Sequence, residues 1–151
     1  MDQTLRELYQ DIILDHSRHP RHFGALAGAS HVAEGHNPLC GDKVKIYLVV
    51  DANGRIADVS FEGKGCAISV ASASLMTEML KGRTVEEAES LMGGFLHLVK
   101  GEAAQSLDED DREMLEVMAG VSAFPMRVKC ATLAWHAMKA ALEGERLART
   151  E

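Results

Sequence analysis

The chain has no excess of positive charge: 16 Lys and Arg stand against 23 Asp and Glu, a formal net charge of −7. Phosphate binding draws on clustered cations, and no basic stripe runs along the sequence, so nucleic acid is excluded as a main partner. No apolar run approaches the roughly 18–20 residues of a membrane span, which excludes a helical membrane protein. The first residues, Met1-Asp2-Gln3-Thr4-Leu5, open a charged amphipathic stretch and not a secretory signal, so a cytoplasmic location is expected. Aromatic residues make up only 5%; the core must be aliphatic and rich in methionine. There is no Cys-x-x-Cys pair, and three cysteines cannot all pair with one another. In a reducing compartment such thiols read as ligands or nucleophiles before disulfides.

What the chain does have is three widely spaced cysteines, Cys40, Cys66 and Cys130, each beside a glycine-rich or strand-to-helix junction. In Asn37-Pro38-Leu39-Cys40-Gly41-Asp42 a thiol and a carboxylate share one tight turn, a soft and a hard metal ligand together. If the three cysteines converge, Cys40, Asp42, Cys66 and Cys130 form a four-ligand set of the kind zinc takes. With 151 residues, a single domain covering 1–151 buries roughly 68–70% of its unfolded surface and does not need a metal merely to fold. A metal site here is therefore expected to serve chemistry.

The order of elements predicts an α+β fold, a small antiparallel sheet of about three strands with helices packed on one face. Leu5, Leu8, Tyr9, Ile12 and Ile13 recur at helical spacing, with Asp2 placed to cap the helix and Pro20 to end it. His16, Arg18 and Arg21 in the basic run that follows are expected to face a partner, and the helix macrodipole explains cations there without a metal. A short strand is expected near His31 to Glu34. Lys43 to Val50 and Arg55 to Glu62 alternate around Asn53-Gly54, the sequence signal of a hairpin that would carry Cys40 and Cys66 to one end of a sheet.

Cys66 opens a helix of small and apolar residues running to Lys81, and a thiol at a helix N-terminus has its thiolate favoured. Thr84 to Glu87 and Ser106 to Glu109 read as capping boxes. Gly93-Gly94 weakens the first of the two helices they start, and Gly120 is expected to end the second. The last helix is expected over Ala131 to Leu147, which would put Cys130 at a helix N-terminus as well.

Three segments carry a resemblance: Asn37 to Asp42, Gly63 to Ser69 with Ala71-Ser72-Ala73-Ser74, and Arg127 to Trp135. They resemble the signature segments of the IscU/SufU (NifU N-terminal-like) family of iron–sulfur cluster assembly proteins, and the likeness extends to Asp15-His16 and Pro20-Arg21. The chain is more similar to the SufU branch. Lys129 stands where IscU-type proteins carry a histidine, Phe124-Pro125-Met126-Arg127 does not reproduce their proline-rich chaperone-recognition segment, and the helical stretch around 82–120 looks like the SufU insertion.

The resemblance implies a sulfur acceptor without stand-alone catalytic activity. Its donor would be a SufS-like, pyridoxal-phosphate-dependent cysteine desulfurase, and its products would go to downstream iron–sulfur assembly or recipient proteins. Zinc on Cys40, Asp42, Cys66 and Cys130 would hold the thiols poised, Cys40 would take the sulfur, and Arg127 and Lys129 would join the partner-facing residues. The alternative within the family is a scaffold on which the same residues build a [2Fe–2S] cluster. From another class comes a cysteine hydrolase or transferase with His36 or His136 as base, which lacks a third, orienting group.

Overall fold

A computed structural model describes residues 3–149. Helix α1 (Gln3–Arg18) is followed by strands β1 (His31–Asn37), β2 (Asp42–Val50) and β3 (Ile56–Lys64), and then by helices α2 (Ala67–Leu80), α3 (Val85–Val99) and α4 (Glu109–Leu115). A 3-10 helix (Glu116–Ala123), helix α5 (Pro125–Leu142) and a short strand β4 (Leu147–Arg149) complete the chain. The capping role expected of Asp2 lies outside the described residues.

The sheet order is β3-β2-β1-β4. The three expected strands pair antiparallel, and β4 adds a fourth, parallel to β1 through Glu34↔Leu147 to His36↔Arg149. In β2 the alternate residues Val44, Ile46 and Leu48 are buried beneath the helices. The β2–β3 hairpin closes through residues 51–55, where the Asp51 carboxylate accepts the N–H groups of Asn53 (2.9 Å) and Arg55 (3.1 Å). Helix α5 lies over β1 and β2, α2 lies over β3, and α1 packs on α2.

The core is aliphatic and methionine-rich as the composition requires, with Met76, Met79, Met92, Met118 and Met138 buried. Trp135 stacks on Phe95 with ring centroids 4.7 Å apart. The Thr84/Glu87 capping box is present in both directions, at 3.1 and 3.0 Å. Helix α3 continues unbroken through Gly93-Gly94 because Gly94 admits Leu107: a Cβ there would come within 2.8 Å of Leu107 Cδ1 and closer to the other branch atoms.

Three boundaries differ from expectation. The cap of α4 is Asp108, whose side chain accepts the Asp111 N–H at 2.8 Å, and not Ser106. The segment after α4 tightens into the 3-10 helix and passes through Gly120 without stopping there. Helix α5 begins at Pro125, where a missing N–H costs nothing in the first turn, and ends at Leu142, so Cys130 lies inside the helix and not at its start.

Candidate metal centre

The turn between β1 and β2 presents Cys40. The Asn37 carbonyl accepts the N–H groups of Cys40 (3.2 Å) and Gly41 (2.9 Å), Asn37 Oδ1 accepts that of Leu39 (3.2 Å), and Gly41 takes φ +74°, which favours glycine. The Cys40 side chain stands exposed at the tip.

Asp42, the first residue of β2, is buried at 1% exposure. Its Oδ1 accepts the Cys66 backbone N–H at 3.0 Å, and its Oδ2 lies 3.8 Å from Cys66 Sγ. Cys66 is the N-cap of α2, as the sequence predicts, with an extended backbone and an exposed thiol. Gly65 makes this approach possible, because a Cβ at that position would lie 2.8 Å from Asp42 Cγ and nearer still to Oδ1.

Cys130 comes from the second turn of α5, buried at 4% exposure, with its Sγ 3.7 Å from Cys40 Sγ. One ligand atom each from Cys40, Asp42 and Cys130 lie within 4.8 Å of one another. Burial, followed by the neighbouring Asp42 carboxylate and Cys66, pushes the Cys130 thiol well above the ordinary range. Cys130 therefore does not occupy the helix N-terminal position expected of it, whereas Cys66 does.

All four sequence-predicted ligands thus line one end of the sheet, Cys40, Asp42 and Cys130 as one close group and Cys66 joined to it through Asp42, with its Sγ 3.8 Å from Oδ2. The spacing suits a tetrahedral ion: bonds of about 2.3 Å to sulfur imply sulfur–sulfur edges of about 3.8 Å, against the 3.7 Å between Cys130 and Cys40. A groove of about 640 Å³ opens over the four, walled by Ile13, Leu14, Ile68 and Met126.

The partner-facing residues separate. Arg18 and Arg127 are exposed, Arg127 over the Phe124 ring at 4.7 Å, and Lys129 is half-buried. Arg21 is half-buried and pairs with Asp15 at 2.6 Å. His16 does not belong to that surface. It is buried at 6% exposure with Nδ1 2.8 Å from Ser74 Oγ, which ties α1 to α2. Among the described residues neither His36 nor His136 bonds a thiol. His36 is paired in β1 opposite Lys43, and His136 is half-buried on α5 with its pKa lowered first by burial and then by Lys139 and Lys100.

Sequence reasoning did not single out Asn37, Gly65 or Ser72. Ser72 Oγ donates to the Ala131 carbonyl at 2.5 Å and accepts Trp135 Nε1–H at 3.2 Å, locking the helix of Cys66 to that of Cys130. Its position in a run of small residues gave no sign of a partner 59 residues away. The signal for Gly65 was its place directly before a thiol that must approach a carboxylate.

The family model of the NifU-like N-terminal domain matches residues 8–131. The zinc-dependent sulfurtransferase SufU of Bacillus subtilis (strain 168) is 42% identical over 137 residues, 90% of each chain. The iron–sulfur cluster assembly scaffold protein IscU of Thermotoga maritima is 40% identical over 140 residues, 93% of this chain and 96% of that one. A crystal structure from Fervidobacterium islandicum AW-1, assigned as an iron–sulfur cluster assembly scaffold protein for the SUF system, superimposes with a TM-score of 0.81 at 36% identity, covering 91% of this chain and 98% of that one. With the three cysteine segments brought together in the same architecture, this chain belongs to the NifU-like N-terminal domain family.

Proposed function

We propose that the chain is a sulfur acceptor and carrier in iron–sulfur cluster biogenesis, taking persulfide sulfur from a cysteine desulfurase on Cys40. The observation that carries this reading is the grouping of Cys40 and Cys130 with the buried Asp42 carboxylate, a third thiol, Cys66, lying 3.8 Å from that carboxylate and Cys40 standing on an exposed turn. The zinc-dependent sulfurtransferase among its relatives supports it. Residues 1–151 act as one domain, with 82–120 as an added helical segment.

Cys40, Asp42, Cys66 and Cys130 would hold zinc, which when bound keeps thiols deprotonated at neutral pH. The residues then divide the work. Cys66 N–H holds the Asp42 carboxylate, α5 holds Cys130 out of water, and the Gly41 turn leaves Cys40 able to swing away. Freed by docking of the desulfurase, the Cys40 thiolate attacks the terminal sulfur of the donor's cysteine persulfide. The donor's sulfur–sulfur bond breaks as a new one forms on Cys40, the donor cysteine leaves as a thiolate, and no net electrons are exchanged. Arg18, Arg21, Arg127 and Lys129 supply a cationic edge to the docking surface, and the persulfide passes to downstream iron–sulfur assembly or recipient proteins. Among the described residues no helix is long and apolar enough to cross a membrane.

Metal content and visible absorbance of anaerobically purified protein, before and after addition of desulfurase and cysteine, test this. One equivalent of colourless zinc together with faster desulfuration is the expected result. A coloured, iron-containing protein that leaves desulfurase turnover unchanged overturns it in favour of a [2Fe–2S] scaffold built on the same four residues.

A further inference from the structure

Asn37 is completely buried, and its Nδ2 is the one buried side-chain nitrogen or oxygen found without a hydrogen-bond partner among the described residues. The other end of the amide is committed: Oδ1 accepts the Leu39 N–H at 3.2 Å, which fixes which atom is oxygen and which is nitrogen. Leaving a buried N–H without an acceptor is costly, so its place directly before the Cys40 turn points to an acceptor that arrives with the working form of the site.

Its place in the fold names that acceptor. Asn37 is the register partner of Asp42 and lies on the β1 face shared by Ala33 and Gly35. That face is covered by α5, since a Cβ on Gly35 would meet Leu133 and Ala137. Cys130 precedes Leu133 by about one helical turn, which sets it over the end of β1 where Asn37 and Asp42 stand. Of the three thiols only Cys130 is buried, and a donor sealed from solvent needs a sulfur that is sealed with it. A protonated thiol is a weak acceptor; a thiolate is a strong one, and N–H donors around metal-bound thiolates tune the site.

We propose that Asn37 is a positioning residue whose Nδ2–H donates to the Cys130 sulfur once that sulfur is a metal-bound thiolate. The inference rests on the zinc reading above. The hydrogen bond stabilises the Cys130 thiolate and lowers its nucleophilicity, while Cys40, exposed and with no N–H donor to its sulfur among the described residues, is the one that reacts.

Two variants test it. Asn37→Asp keeps an acceptor for the Leu39 N–H but replaces the donor with an oxygen; Asn37→Ala is neutral and removes both. Zinc affinity is measured by competition with a chromophoric chelator, and the sulfur-to-metal charge-transfer bands are recorded on the cobalt(II)-substituted proteins. Both variants should bind zinc about 10–100-fold more weakly than wild type, and in both the bands should move to lower energy as the thiolate loses its donor. If Asn37→Asp does not fold by circular dichroism, Asn37→Ala carries the same comparison. Weaker binding with unmoved bands, or unchanged affinity, overturns the inference while leaving the zinc reading intact. A wild-type protein that binds neither metal overturns both.

Discussion

Replacing Gly65 with alanine should disable the site through a single methyl group. Gly65 does not occupy a left-handed backbone conformation, so alanine is acceptable there as far as the chain is concerned, and the whole effect comes from contact. The new Cβ would lie 2.8 Å from Asp42 Cγ, whereas carbon atoms rest at about 3.5–4.0 Å, so the carboxylate must retreat by roughly 1 Å. Any retreat moves Asp42, 1% exposed, off the Cys66 N–H that it holds at 3.0 Å. Loss of that charged hydrogen bond costs about 1.5–3 kcal/mol, and overpacking adds about 1–3 kcal/mol. The reduced freedom of the unfolded chain returns about 0.4–1 kcal/mol.

The net expectation is a destabilisation of about 2–5 kcal/mol in the metal-free protein. With a urea m-value of about 1–3 kcal/mol/M, the unfolding midpoint falls by on the order of 1–2 M. Urea titration followed by circular dichroism measures this, and chelator competition should show zinc affinity down by about 10–100-fold. A change under about 0.5 kcal/mol with unchanged zinc affinity would show that Asp42 moves freely, and the picture of a carboxylate clamped between Gly65 and Cys66 would be refuted.

Cys40→Ala removes an exposed side chain and should alter stability by less than about 1 kcal/mol, yet abolish stimulation of the desulfurase; stimulation equal to wild type would remove Cys40 from the sulfur-accepting role. Adjacent glycines in α3 should respond oppositely in thermal unfolding. Gly93→Ala meets nothing within 4 Å and should gain about 0.5–1 kcal/mol, whereas Gly94→Ala drives a methyl into Leu107 and should lose about 1–3 kcal/mol. Burial first, and then the Arg21 charge, hold the His16 pKa below the usual histidine value. Between the unfolded value of about 6.5 and the lower folded one, the unfolded chain binds more protons, so stability should fall as pH drops below about 6.5 and level off beneath the folded value. His136 acts in the same direction. Urea midpoints measured between about pH 7.5 and about pH 5.5 should show the slope, and His16→Gln should flatten it; an undiminished slope would assign it to other groups.

What the sequence made readable was local. Asn53-Gly54 marks the hairpin, Thr84 and Glu87 mark a helix start, and the small residues after Cys66 mark a helix that lies close on its neighbours, because each signal acts over a few residues. The hairpin alone was enough to place Cys40 and Cys66 at one end of the sheet. What it hid depends on partners far along the chain. The burial of His16 follows from the Ser74 hydroxyl 58 residues later. Strand β4 is three residues long and carries no periodicity to detect. The start of α5 was available in Phe124-Pro125, since proline suits a first helical position, and moving the boundary back to Pro125 changes the electrostatics of Cys130.

That change sharpens the division among the three thiols. Two equivalent cysteines at helix starts would have left the choice of reacting sulfur to loop mobility alone. Instead each has a different setting. Cys66 keeps the helix N-terminus and an exposed thiol, and its own N–H fixes the Asp42 carboxylate. Cys130 is buried in the second turn of α5, where ionisation is disfavoured by burial and by Asp42, so a thiolate there would need a metal to hold it. Cys40 alone is exposed on a turn whose hinge is a left-handed glycine. A ligand that must leave the metal, meet a second protein and return has to satisfy access and backbone freedom together, and in this fold only Cys40 satisfies both.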